Sequence, residues 1–430
     1  MLPKLIKQFA RIKDSRRQGS IKHKVTTLMI YGLFMFIFRI NSRREANKTL
    51  SRAYIAQKLR ELFPEFDTIP HADTLASFLE QTEPLDLEKV NISLINELIR
   101  KKKFRKLLIQ GHLPISIDAT QKLVRDGFLN DPEWLERSFK NQDQQYIMAV
   151  EANITFKNGL TIPLMTEYLC NDPTGLLDGS DVQDCELEGA KRLIIRIKDM
   201  FKRLKIIILL DSLYPTQTIM QLLYDKKFQF LIKLPEKLKT LMKRLNEQSD
   251  FAVPVPNQPY FRERKQMFHW VNDIRYGEKN PLAVNLVCCT DSWFEADKET
   301  GTKVHMRSEH CWISSMKINL NNVHELCNLC ARKRALIEDS MNTEKNRGYS
   351  YENAFSYNWN GMRCFHYLMR IAHAINAISE FTKTLKKYIK SLGCSLTLKL
   401  IFEALSNPWL STEWIEKQVR NQPRLCLELG

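Results

Sequence analysis

The run Ile206-Ile207-Ile208-Leu209-Leu210 limits the fold more than any other stretch of this 430-residue chain. Five consecutive apolar residues suit a strand covered on both faces, which needs helices on each side of a sheet. The flanks agree. Upstream, Val182, Leu187, Ala190, Leu193, Ile194, Ile197, Met200, Phe201 and Leu204 recur mostly at spacings of three and four, which predicts a long amphipathic helix. Downstream, a second helix is expected over about 216–227, then a strand over 228–233. Residues 114–118 read as a short apolar strand ending in an acid. Runs 146–156 and 160–168 read as strands joined by Lys157-Asn158-Gly159, whose Asn-Gly pair is a hairpin signal. The fold class is therefore α/β, with a mixed sheet.

Texture divides the rest. Residues 1–110 are helix-like and basic, from Lys4, Lys7, Arg11, Lys13, Arg16, Arg17, Lys22 and Lys24 to the closing run Arg100–Lys106. Such runs are either solvated helix faces or phosphate contacts. Residues 235–310 are punctuated by Pro254, Pro256 and Pro259 and read as a β-rich insertion with strands near 283–290 and 310–317. A helix is expected over 322–345. The region 348–430 is helical, with one long helix over about 361–392. The expected domains are thus 1–110, 111–347 and 348–430.

Lys plus Arg outnumber Asp plus Glu by 65 to 49, a surplus of 16 that points to a polyanionic partner. The longest apolar run, 25–38, is shorter than the ~20 residues a bilayer requires, so it is expected as a buried helix and no membrane association is expected. The ten cysteines show no framework spacing and read as reduced thiols, with Cys327 and Cys330 packed in the core.

Asp118 and Asp211 each stand where an apolar strand gives out, and residues at the carboxyl ends of strands converge on a crevice. Alone, each is an ordinary strand-end cap. Arg334, Glu338 and Lys345, spaced by four and seven, share one helical face. A third carboxylate brought to two aspartates makes an oxygen-rich site for hard divalent cations. Asp184 and Glu186 are rival acids, read here as structural because they open a helix, where negative charge meets the positive dipole end. Asp339 points about 100° away from Glu338.

Together these residues resemble insertion-sequence DDE transposases of the Tyr-x2-Arg-x3-Glu-x6-Lys group. Arg334-Ala-Leu-Ile-Glu338 followed by Lys345 is similar to the group's helix. Asp118-Ala-Thr120 and Asp211-Ser-Leu-Tyr214 resemble its aspartate segments, and Gln183-Asp-Cys-Glu186 and Asp73-Thr-Leu75 look like two others. The resemblance implies an RNase H-like core carrying the β-rich insertion, and Asp118, Asp211 and Glu338 as the catalytic, metal-holding residues. It further implies Mg²⁺, with Mn²⁺ able to substitute, and Arg334 and Lys345 on DNA phosphates. Partners would be terminal inverted repeats and target DNA, bound by a homodimer in the bacterial cytoplasm at the nucleoid. One position departs from the group: Ala331 stands where its tyrosine falls. Aromatics at Tyr349, Tyr351, Phe355, Tyr357 and Trp359 either stack on an unpaired base or pack the core. The alternatives are a transposase-derived DNA-binding protein without activity, a nuclease of the same fold, and a basic membrane-surface protein.

Overall fold

The computed structural model describes residues 2–64, 66, 68–127, 134–140, 142–171, 184–235, 252–255, 264–277, 280–296 and 302–406. Its strands join in one mixed sheet. Strands β1 (Leu113–Asp126), β3 (Gln142–Thr155) and β4 (Thr161–Leu169) run antiparallel, while β2 (Leu135–Phe139) shares the outer edge of β3 with β4. On the other side of β1, β5 (Ile206–Leu210) and β6 (Gln229–Lys233) run parallel. Helices α7 (Glu186–Met200) and α8 (Gln217–Asp225) precede β5 and β6. This is the mixed core that the resemblance implies.

The β5 run explains itself. Ile206, Ile208 and Leu210 enter one hydrophobic cluster, and Ile207 and Leu209 enter another on the opposite face. The β3–β4 hairpin turns at Gly159, whose φ of +92° suits glycine. Val182 and Gln183, expected at the start of α7, lie outside the described residues, as do Pro256 and Pro259.

Several expectations change. β1 does not stop at Asp118 but continues to Asp126 along β3, so that acid is mid-strand. What ends near Asp118 is the pairing with β5, which covers only Leu113 to Ser116. The insertion is not set apart from the core. Strands β7 (Ala252–Val255), β8 (Lys265–Tyr276), β9 (Leu282–Ala296) and β10 (Lys303–Ser314) form an antiparallel meander, and β10 pairs with β6. The helix expected over 322–345 winds as a wide π turn (Glu325–Cys330) and a tight 3-10 turn (Ala331–Ala335). It becomes α-helical only at α9 (Leu336–Asn346). The long C-terminal helix is two, α10 (Trp359–Glu380) and α11 (Lys383–Leu392). Between them the Thr382 hydroxyl donates to Ser379 O at 2.7 Å and caps Leu385 N. α12 (Cys394–Ser406) follows.

The N-terminal helices are α1 (Leu2–Phe9), α2 (Val25–Ile37), α3 (Arg43–Leu50), α4 (Ala53–Leu62), α5 (Ala72–Glu80) and α6 (Pro84–Arg100). α2 is buried as expected, and no described helix is long and apolar enough to cross a membrane. Gly32 lets α2 approach its neighbours closely: a Cβ there would lie 2.9 Å from both Leu368 and Leu75. One cluster accordingly unites α2 and α5 with Phe365, Leu368 and Ile371 of α10.

Cysteine usage is also corrected. Cys288 and Cys311 are directly paired across β9 and β10 and form a disulfide. A separation of 23 residues hides such neighbours from sequence, because strand register decides them. Cys327 and Cys330 pack in the cluster under the outer face of β5.

Candidate active site

Asp118 stands two residues beyond the last β1–β5 pair, at the end of β5 where Asp211 begins a turn. Asp211 fixes that turn itself, its Oδ1 accepting from Leu213 N at 2.7 Å. The tight turn before α9 delivers Arg334 from a third direction. Its Nη2 lies 2.8 Å from Asp118 Oδ1 and 3.7 Å from Asp211 Oδ2, and its Nη1 donates to Glu338. One guanidinium therefore touches all three carboxylates proposed from the sequence. Asp118 is the most buried (17% exposed), and Glu338 the most open (59%). Burial pushes the Asp118 carboxyl up to about 6; Arg334 opposes this, while Asp211, Glu338 and Glu186 add to it.

Glu186 was missed as part of this field. Asp184 is structural as expected, held by Arg192 at 2.6 Å and by Cys185 N at 2.9 Å. Glu186, the first residue of α7, instead turns towards the Asp211 turn, where the Tyr214 hydroxyl donates to its Oε1 at 2.5 Å. Burial raises the Glu186 carboxyl, and the Asp211 charge raises it further. A helix-opening acid has an ordinary explanation, so its second partner shows only in three dimensions.

Lys345 is placed differently from Arg334. It lies 3.5 Å from Glu352, with its ammonium 5.8 Å from the Tyr351 ring centre. Tyr349, Tyr351 and Phe355 are core residues, whereas Tyr357 is almost fully exposed. Ala331 is buried in the wall of a cavity of about 340 Å³ that Lys233, His310, Trp312, Arg334 and Glu338 also line.

Two family models match the chain: one described as DDE_Tnp_1-associated over residues 6–95, and the Transposase DDE domain over residues 176–376. Together they cover more than half of it, and the second spans Asp211 and Glu338. The chain is a DDE transposase. No curated protein matches it. Among solved structures, a piggyBac transposase in a synaptic complex with hairpin DNA is similar at 11% identity and a TM-score of 0.36. That match covers 98% of this chain and 83% of the other.

DDE transposases act on DNA and use divalent metal ions. The donor set here suits such ions: carboxylate oxygens are hard ligands, and a positive group already sits among all three. Behind the site, the transposase anchors α9 through a buried charge network. Glu344, six residues after Glu338, lies 3.3 Å from Arg370 and 2.7 Å from His373, both on α10. Arg370 also reaches Glu151 at 2.9 Å and Asn153 at 2.7 Å on β3. Glu151 is the cross-strand partner of Asp118. Every buried charge in this set has a partner, as its burial requires.

Proposed function

We propose that Asp118, Asp211 and Glu338 hold the divalent metal of this transposase, Mg²⁺ with Mn²⁺ as a substitute. The reaction is cleavage at the terminal inverted repeats of an insertion sequence, followed by strand transfer to target DNA. The observation that carries this reading is the convergence of three carboxylates, from a strand, a strand-end turn and a helix, on one guanidinium. Bound metal would activate the attacking water or 3′-hydroxyl and stabilise the leaving oxygen. The chain's own part is positional. Asp118 is fixed by its ladder with β3, Asp211 by its turn, and Glu338 by the anchored α9. Arg334 and Lys345 are the cations next to the backbone phosphates.

On this reading residues 1–110 bind DNA, 111–347 form the catalytic domain, and the helical region 348–430, of which 407–430 lie outside the described residues, supports both. The enzyme belongs to the Tyr-x2-Arg-x3-Glu-x6-Lys group and works as a homodimer on paired ends, at the nucleoid in the bacterial cytoplasm. Purified protein with Mg²⁺ or Mn²⁺ should cut DNA carrying the element ends, and Asp118→Ala should bind those ends without cutting. Full cleavage by that variant would overturn the site assignment. Ala331 favours one second reading, a transposase-derived DNA-binding protein. Binding by the wild type with no cutting in either metal would select it.

A further inference from the structure

Glu186 has two unusual features for the first residue of a helix. Its side chain is half-buried and takes the Tyr214 hydroxyl at 2.5 Å, and Tyr214 lies three residues after Asp211, its N–H donating back to Asp211 O at 3.3 Å. The hydrogen bond therefore closes from α7 onto the turn that carries Asp211. The start of α7 is itself pinned. Gly189, three residues on, lies so close to the sheet that a Cβ would come within 2.3 Å of Leu169 and 3.0 Å of Val150. Tyr214 is fully buried, so its ring cannot swing away from this contact. The charge of Glu186 falls in the same field as Asp118 and Asp211.

We propose that Glu186 is a positioning residue of the transposition reaction: through Tyr214 it fixes the Asp211 turn, and its charge strengthens the hold of the three carboxylates on divalent metal. This rests on the assignment of Asp118, Asp211 and Glu338 as metal-holding residues. It separates two contributions that substitutions can divide. Glu186→Gln keeps an oxygen to accept from Tyr214 but removes the charge. Tyr214→Phe keeps the charge and removes the tether. Residues that orient metal-holding groups typically change affinity or activity by about 10–100-fold when replaced.

The test uses the full chain and two readouts: Mn²⁺ binding to DNA-free protein by water-proton relaxation, and Mg²⁺ titration of end cleavage. Glu186→Gln should weaken Mn²⁺ binding and raise the half-maximal Mg²⁺ concentration about tenfold, with most of the rate recovered at saturating metal. Tyr214→Phe should leave Mn²⁺ binding within about twofold of wild type and lower the saturated rate about tenfold. Glu186→Asp, which keeps the charge but is too short for Tyr214, should follow Tyr214→Phe. It serves in place of Tyr214→Phe if that variant does not melt cooperatively. A Glu186→Gln protein with wild-type Mn²⁺ affinity and Mg²⁺ requirement would overturn the inference. Asp118→Ala is run beside them. If it binds Mn²⁺ as wild type does, the three-carboxylate reading fails; if it alone loses Mn²⁺, only the role of Glu186 fails.

Discussion

At the scale of residues, Arg334 sets the electrostatics among the three carboxylates. Three carboxylates in contact with one guanidinium form a satisfied cluster, so a divalent cation must compete with a cation the chain supplies itself. Arg334→Ala is therefore expected to bind Mn²⁺ more tightly than wild type while cutting DNA more slowly; weaker Mn²⁺ binding would show that the guanidinium supports the site rather than competing for it. A second prediction concerns Gly32. Its missing Cβ is what lets α2 meet Leu368 and Leu75, so Gly32→Ala should lower stability by about 1–3 kcal/mol, read as a lower denaturant midpoint with unchanged slope. Asp118, Asp211, Arg334 and Glu338 were legible in the sequence because each belongs to a motif of fixed order. Glu186 was not, because its partner Tyr214 is 28 residues away.

At the scale of elements, the buried network of β3, α9 and α10 holds the third carboxylate in place. Burial pushes the Glu151 carboxyl up, but Arg370, His366 and the Thr166 hydroxyl together outweigh it and hold it down at about 2. The folded state then binds fewer protons than the unfolded one in acid. The Glu151 contribution is complete above its ordinary value of 4.5 and is lost as pH falls towards 2. Thermal melting followed from pH 6 to pH 2 should fall steeply in wild type and less steeply in Glu151→Gln. That variant leaves Glu344 as the carboxylate facing Arg370 and breaks one buried ion pair, so it should already be about 3–5 kcal/mol less stable at neutral pH. An equal pH slope in both would remove Glu151 from the account. Periodicity located most elements: β5 appears over the residues expected, and α8 and β6 within two residues. It failed where a helix changes its winding without changing its pattern, at 325–335, and where one threonine, Thr382, caps a new helix inside a continuous amphipathic stretch. It also ended β1 early, because polar residues after Asp118 are tolerated once β5 no longer lies alongside.

At the scale of the whole molecule, the sheet does not respect the textural boundary at residue 235. β6 and β10 pair through Leu231 to Lys233, and Leu234 N extends the contact to Cys311 O at 2.9 Å. Composition showed that 235–310 is β-rich, but only pairing shows what it is β-rich against. Amide exchange should therefore place residues 311–314 in the same slow class as β5 and β6. Faster, independent exchange of that segment would make the meander a separate unit. Continuity has a mechanical side. From β1 to β7 there are six strand spacings, roughly 29 Å at about 4.8 Å each. The meander joins that sheet through the β6–β10 pairs Leu231 to Lys233 with Trp312 to Ser314, so pulling it away from the strands that lead to Asp118 and Asp211 would break those ladder bonds.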